Sequence, residues 1–208
     1  MRPADPDAPA GHPDRLAAVV LAAGLSSRAG GRNKLVREID GRPMVRRVVE
    51  TVIAAGVGEV IVVTGHQPAA VAAALAGLDL RLAHNPGYRS GIGGSLATGV
   101  AAVPACAAGA LVCLGDMPLV TADTIRRLVA AFDPAAGRDV CVPVRGGRRG
   151  HPVLFARRLF PDLRGLAGDV GGRAVLDAHA RHLVEVAVDD DGVLSDFDGA
   201  DAADPPAG

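Results

Sequence analysis

Residues 16–34 read LAAVVLAAGLSSRAGGRNK. The first eight form a short apolar run with β-branched Val19 and Val20, and the run stops at Gly24. That is the pattern of a buried strand followed by a loop. Gly24 lets backbone amides come close to a ligand. Ser26 and Ser27 add hydroxyls, and Arg28 and Lys34 add two positive charges. Concave backbone amides with cations make an anion site that suits a polyphosphate. The same residues also read as an ordinary Gly/Ser turn with solvated charges. Two familiar phosphate patterns fail here. GxxxxGK[ST] is broken by Ala29, five residues after Gly24, and by Leu35 after Lys34, and GxGxxG is absent from the loop.

Outward from this stretch, apolar runs alternate with amphipathic ones. Residues 43–55 carry Met44, Val45, Val48, Val49, Val52 and Ile53 at helical spacing, with Pro43 before them and Gly56 after. Residues 60–63 read as a second buried strand, 68–76 as an Ala-rich helix closed by Gly77, and 80–83 as a third strand. GIGGS at 91–95 reads as a loop that opens a helix over 95–103. Residues 110–114 read as a fourth strand, and Thr121 as the N-cap of a helix over 122–132. Strands at 140–144 and 153–155, short helices near 156–163 and 172–180, and a closing strand at 183–188 complete the pattern. This alternation predicts an α/β fold with a mostly parallel sheet and helices on both faces. Ligands of such sheets bind beyond the carboxyl ends of the strands.

The chain has 208 residues, which suits one α/β domain. Residues 15–199 are expected to form it. Residues 1–14, rich in Pro, Asp and Ala and without an apolar h-region, read as a disordered extension, and 200–208 as a loose tail. The net charge of −1 and the lack of a basic stripe argue against a nucleic-acid partner. With aromatics at 2%, stacked platforms for single strands are not available. No run of 18 apolar residues suggests a membrane span. Three cysteines without CxxC spacing fit a reduced, cytoplasmic setting, and Cys113 and Cys141 fall in strand runs as small core residues.

Other loops carry chemistry. The fourth strand ends in GDMP, residues 115–118. An acidic residue there is costly unless it binds something, and a divalent metal bridging phosphates is a natural partner for Asp116. Capping of the next helix is the plainer reading. Asp196 and Asp198, on one side of the chain near the C-terminus, either complete a metal site with Asp116 or belong to a polar surface turn. Gly93, Gly94 and Ser95 allow close backbone approach at a helix start. GRRGHP at 147–152 and GDVGGR at 168–173 combine glycines with Arg149, His151, Asp169 and Arg173, which suits a second anionic ligand.

Taken in order, LAAGLSSRAGGRNKL, DGRPMVRRVV, VVTGH, SGIGGSLATG, LGDMPLV, GRRGHPVLF and GDVGGRAVL resemble the MobA-like nucleotidyltransferases. Within that group the resemblance is to the molybdenum cofactor cytidylyltransferases, and it covers roughly residues 16–199. It implies the three-layer, Rossmann-like fold of the nucleotide-diphospho-sugar transferase type. It also implies transfer of CMP from CTP to molybdopterin, with Mg²⁺ or Mn²⁺ as cofactor and a molybdenum hydroxylase or its chaperone as transient partner. The binding loop of the family falls on Leu21, Ala22, Ala23, Gly24 and Arg28, its phosphate lysine on Lys34 and its metal aspartate on Asp116. The second carboxylate falls on Asp198, where this chain reads DFDGAD in place of the family's Thr-Pro ending. The LAAG spelling and GIGGSL resemble the cytidylyl branch, whereas the guanylyl branch tends to LAGG. Arg149, His151, Asp169 and Arg173 are then expected to hold the acceptor. Rival readings are a guanylyltransferase or another sibling acting on a different phosphate acceptor, a non-catalytic cofactor-delivery protein, and a nicotinamide-binding domain. The absent GxGxxG speaks against the last.

Overall fold

The computed structural model describes residues 16–25 and 33–197. The expected N-terminal extension and C-terminal tail lie outside the described residues, as do Ser26, Ser27, Arg28 and Asp198. Strand β1 is Leu16–Ala22. A small hairpin follows, β2 (Glu38–Ile39) and β3 (Arg42–Pro43), leading into α1 (Met44–Ala54). Then come β4 (Glu59–Thr64), α2 (Pro68–Ala74), β5 (Arg81–His84), α3 (Ile92–Ala101), β6 (Gly109–Leu114) and α4 (Ala122–Ala131). The C-terminal part holds β7 (Val140–Arg145), β8 (Arg148–Arg149), β9 (Val153–Ala156), α5 (Phe160–Arg164), α6 (Arg173–Ala178) and β10 (Leu183–Ala187).

The main sheet runs β10-β7-β9-β6-β1-β4-β5, with β8 paired to β7. β9 is antiparallel to both β6 and β7, and the β1, β4, β5 and β6 ladders are parallel. β1 is buried on both faces, which is why it reads as a continuous apolar run. Its Leu16, Ala18, Val20 and Ala22 join one core with α1, α2 and α4, while Ala17 and Val19 join another with α3, α5 and α6. These are the three layers of a doubly covered sheet. No helix among the described residues is long and apolar enough to cross a membrane. Cys113 and Cys141 are buried, and burial pushes both thiols up to about 12.

The glycines expected to form a loop before α3 lie inside it, since the helix starts at Ile92. Gly91 makes the turn at φ 112°. A Cβ on Gly93 would sit 2.7 Å from the carbonyl oxygen of Val170. The helix start is thus pressed against another segment, and that packing outweighs glycine's poor helix propensity. Two hairpins went unanticipated although their turn dipeptides signal them. Asp40-Gly41 has φ of 50° and 72°, and Gly146-Gly147 has 56° and 75°, the paired positive values of a two-residue hairpin turn.

Candidate functional site

β1 pairs with β4 on one side and β6 on the other, so the chain's direction of winding reverses between β1 and β6. In open parallel sheets that reversal leaves a crevice beyond the strand ends. Leu21 stands opposite Leu114 in the register, and the Gly115 N–H donates to the Leu21 carbonyl at 3.0 Å. A Cβ on Gly115 would lie 2.9 Å from that same oxygen, so only glycine lets the two strand ends close up. Asp116 therefore leaves β6 directly at the crevice.

Lys34 arrives from the other side. It begins a single 3₁₀ turn, Lys34–Val36, capped by Asn33. Asn33 is 2% exposed and uses three groups to hold this turn. Its side-chain oxygen accepts from the Leu35 N–H at 3.1 Å, its Nδ2 donates to the His66 carbonyl at 3.0 Å, and its backbone N–H donates to Gln67 Oε1 at 3.2 Å. The loop after β1 is in this way tied to the loop after β4. Lys34 Nζ then donates to Asp116 Oδ2 at 2.7 Å and to the Phe197 carbonyl at 3.3 Å. Phe197 returns a backbone N–H to the Asp116 carbonyl at 3.0 Å. The residue before Asp198 thus packs on both Lys34 and Asp116. About a fifth of each of the two side chains is exposed, which leaves the pair open to a ligand.

The far wall comes from the segments after β4 and β5. Asn85 is buried. Its N–H donates to the Thr64 carbonyl at 2.8 Å, and its Oδ1 accepts from the Gly87 N–H at 2.9 Å. Because a backbone N–H can only donate, this fixes the amide orientation, and Nδ2 donates to Ser95 Oγ at 3.0 Å. The hydroxyl proton of Ser95 is left to donate elsewhere. Gly65 admits no side chain: a Cβ there would meet Tyr88 Cβ at 2.5 Å and the Ala23 carbonyl at 2.7 Å.

Two cavities result. The first, about 330 Å³, is lined by Ala23, Gly24, Lys34, Ser95, Asp116 and Asp169, among others. The second, about 730 Å³, is lined by Arg149, His151, Phe155, Arg173 and Glu185, among others. Leu21, Ile92 and Leu114 belong to both, so the cavities share a wall. Most expected site residues are therefore brought together, with four adjustments. Ala22 turns into the core on the opposite face of β1, as strand alternation requires. Gly93 is packed under the 167–170 segment, and Gly94 stands beside Asn85, so Gly91, Ile92 and Ser95 line the cavity instead. Asp169, expected beside Arg173, lies in the first cavity and not the second. Arg28 and Asp198 fall outside the described residues.

His151 lines the second cavity, and its Nδ1 is buried with no hydrogen-bond partner among the described residues. Burial lowers its pKa below the ordinary value, with the charge of Asp116 pulling the other way. A neutral imidazole is the expected state near pH 7. Arg149 Nε donates to Glu185 Oε1 at 2.7 Å. Glu185 was not anticipated. Its only signal was a carboxylate interrupting the apolar run of β10. Asn33, Asn85 and Tyr88 were also missed, because their roles depend on which loops meet.

Residues 18–183 match the family model of the MobA-like NTP transferase domain. The chain belongs to the MobA-like NTP transferase family. This MobA-like chain is 34% identical over 164 residues to a nicotine blue oxidoreductase of Paenarthrobacter nicotinovorans, across 76% of this chain and 79% of that protein. It is 35% identical over 137 residues to the bifunctional protein GlmU of Sorangium cellulosum, across 62% of this chain and 29% of that protein. It thus spans under a third of the length of the GlmU proteins it matches. Among solved structures, a nucleotidyl transferase from Methanothermobacter thermautotroptrophicus superposes with a TM-score of 0.73 at 30% identity, covering 84% of this chain and 87% of that one. Rv0371c from Mycobacterium tuberculosis H37Rv superposes with a TM-score of 0.75 at 28% identity, covering 85% and 89%. A further structure of Rv0371C is a complex with manganese. The α/β fold expected from the alternation of strands and helices, and the three-layer, Rossmann-like form that the family resemblance implied, is the fold these neighbours share.

Proposed function

We propose that the chain is a cytidylyltransferase that moves CMP from CTP to the phosphate of molybdopterin, releasing pyrophosphate and forming molybdopterin cytosine dinucleotide. The observation that carries this reading is the Lys34–Asp116 pair, 2.7 Å apart at the ends of a loop and a strand that flank the sheet's crevice. An acceptor phosphate oxygen attacks the α-phosphorus of the nucleotide in line. The bond to the bridging oxygen breaks, and its electron pair leaves with pyrophosphate. Positioning and charge neutralisation supply most of the catalysis in such transfers. Lys34, with Arg28 from the loop outside the described residues, neutralises charge on the α-phosphate and pyrophosphate. No general base is needed, because the acceptor phosphate is already an anion.

A divalent cation fits the donor set. Among the described residues there is no cluster of three or more His, Cys, Asp or Glu that would cage a metal. Mg²⁺, however, typically takes one or two carboxylates and completes its shell with water and substrate phosphates. Asp116 would hold it, with Asp198 following Phe197 in the chain. The ion would supply charge neutralisation at the phosphates. The Rv0371C complex supports Mn²⁺ as a substitute. The methyl group of Ala23 in the cavity wall, where a glycine would leave more room, favours a pyrimidine over a purine. Arg149, His151 and Arg173 in the second cavity are assigned to the acceptor, and a cytoplasmic setting with a molybdenum hydroxylase as recipient follows from that acceptor.

The test is pyrophosphate release with CTP and GTP, each with and without molybdopterin, together with Mg²⁺ and an EDTA control. Release with CTP that requires both molybdopterin and metal is expected. Release with GTP alone would overturn the base assignment. Release with a different phosphate acceptor would overturn the acceptor.

A further inference from the structure

We propose that Asp169 reads the sugar of the nucleotide, accepting hydrogen bonds from its hydroxyls and so selecting ribonucleotides over deoxyribonucleotides. This rests on the reading of the first cavity as the nucleotide site. Asp169 is exposed, stands in the lining of that cavity, and among the described residues its carboxylate has no hydrogen-bond or ion-pair partner. The backbone that carries it is nevertheless held. Gly168 turns the chain at φ 61°, and its carbonyl accepts from the Gly93 N–H at 2.9 Å. A Cβ on Gly91 would lie 2.2 Å from the Gly168 carbonyl oxygen and 2.5 Å from Asp169 Oδ1. Asp169 Oδ1 therefore lies beside the start of α3, where a side chain on Gly91 would meet it.

A carboxylate in a polyphosphate-binding cavity is best placed against the part of the ligand that donates hydrogen bonds and carries no negative charge. Among the described residues the lining carries two cations, Lys34 and Arg89, and the triphosphate belongs at Lys34, where Asp116 stands beside it. The base, the flattest and least charged part, belongs against Ala23 and Gly24. The sugar bridges the two, and its vicinal hydroxyls are the donors that an acidic side chain commonly meets in nucleotide sites. The same loop continues into Gly171, Gly172 and Arg173 of the second cavity. Sugar recognition by Asp169 therefore also sets the loop that faces the acceptor.

The experiment is titration calorimetry of the full chain with Mg²⁺ and four probes: CTP, 2′-deoxy-CTP, GTP and 2′-deoxy-GTP. For whichever base binds, the unmodified chain should prefer the ribonucleotide by about tenfold or more, the range for a hydrogen bond to a charged group. Asp169→Ala should abolish the ribonucleotide preference, weakening the ribonucleotide, which loses contacts to both hydroxyls, more than the deoxy form, which loses only the 3′ contact. Asp169→Asn, which keeps an acceptor oxygen, should retain part of the preference. Equal weakening of ribo and deoxy forms would overturn the proposal and point to a metal or structural role, and an unchanged preference would overturn it outright. A preference for GTP that Asp169→Ala abolishes would sink the cytidylyl reading while sustaining this one. Binding of none of the four would sink both.

Discussion

The two cavities on the sheet's carboxyl edge are built by different means. The first lies beyond the ends of parallel strands β1 and β6, and its polar groups are set by backbone and side-chain hydrogen bonds between loops: Gly115 against Leu21, Asn33 against His66 and Gln67, Asn85 against Ser95. The second opens where antiparallel β9 and the short β8 interrupt the parallel order, and its charges are solvent-accessible arginines paired with carboxylates. Arg149 and Arg173 are 45% and 90% exposed, against 21% for Lys34. The difference teaches a division of labour. On the proposed reading, a half-buried cation held by a network would give fixed electrostatics for the transfer, and exposed arginines on short elements an adaptable surface for the acceptor.

Variants can break this comparison. The largest effect is expected from Asp116→Ala, with kcat falling roughly a hundredfold or more and the fold retained, as read by pyrophosphate release and circular dichroism. Near-normal turnover would remove Asp116 from the reacting centre. Next, Asn33→Ala should cost about 1–3 kcal/mol in denaturant unfolding, because it strands buried backbone partners in two loops, and should weaken CTP binding in the same variant. Loss of stability without loss of affinity would show that the network supports the fold only. Arg149→Ala should raise the acceptor KM about tenfold while CTP affinity stays within about twofold. Equal changes for both substrates would mean that the cavities do not divide the work.

The smallest effect falls outside both cavities. Asp190 accepts from the Thr121 N–H and hydroxyl, the Thr124 hydroxyl and the Gly192 N–H. Burial raises its pKa, but these bonds together outweigh burial and the net shift is downward. A group with a lowered folded pKa contributes stability above its unfolded value of about 3.9 and loses it as the pH falls through the folded value. Asp190→Asn should therefore destabilise by about 1 kcal/mol at pH 7 and flatten the acid limb of the stability profile below about pH 5. An unchanged acid limb would show that other carboxylates govern it.

The longer strands and most helices were legible, the central ones because burial on both faces writes itself into β1, β4 and β6 as continuous apolar runs. Thr121 was legible as an N-cap because a cap is a local device, and its side chain does accept from the Thr124 N–H. The antiparallel insertion of β9 was not, since an apolar run such as Val153–Ala156 reads the same in either direction. Lys34 and Asp116 could be named from their types and their place after strands, but not their 2.7 Å contact across 82 residues of sequence. Asn33 and Asn85 carried no local pattern at all, and Glu185 only its interruption of the apolar run of β10.

By itself the sequence determined the α/β architecture, the loops that would carry charge and the family resemblance. All of these rest on local periodicity and on residue types at strand ends, which neighbouring residues alone specify. Only the tertiary structure decided which side chains share a cavity: Asp169 with Lys34 and not with Arg173, Ala22 in the core and not at the ligand, Glu185 opposite Arg149. Those outcomes depend on strand order, register and the near-contact of glycine backbones. They are long-range packing terms that no stretch of the chain encodes alone.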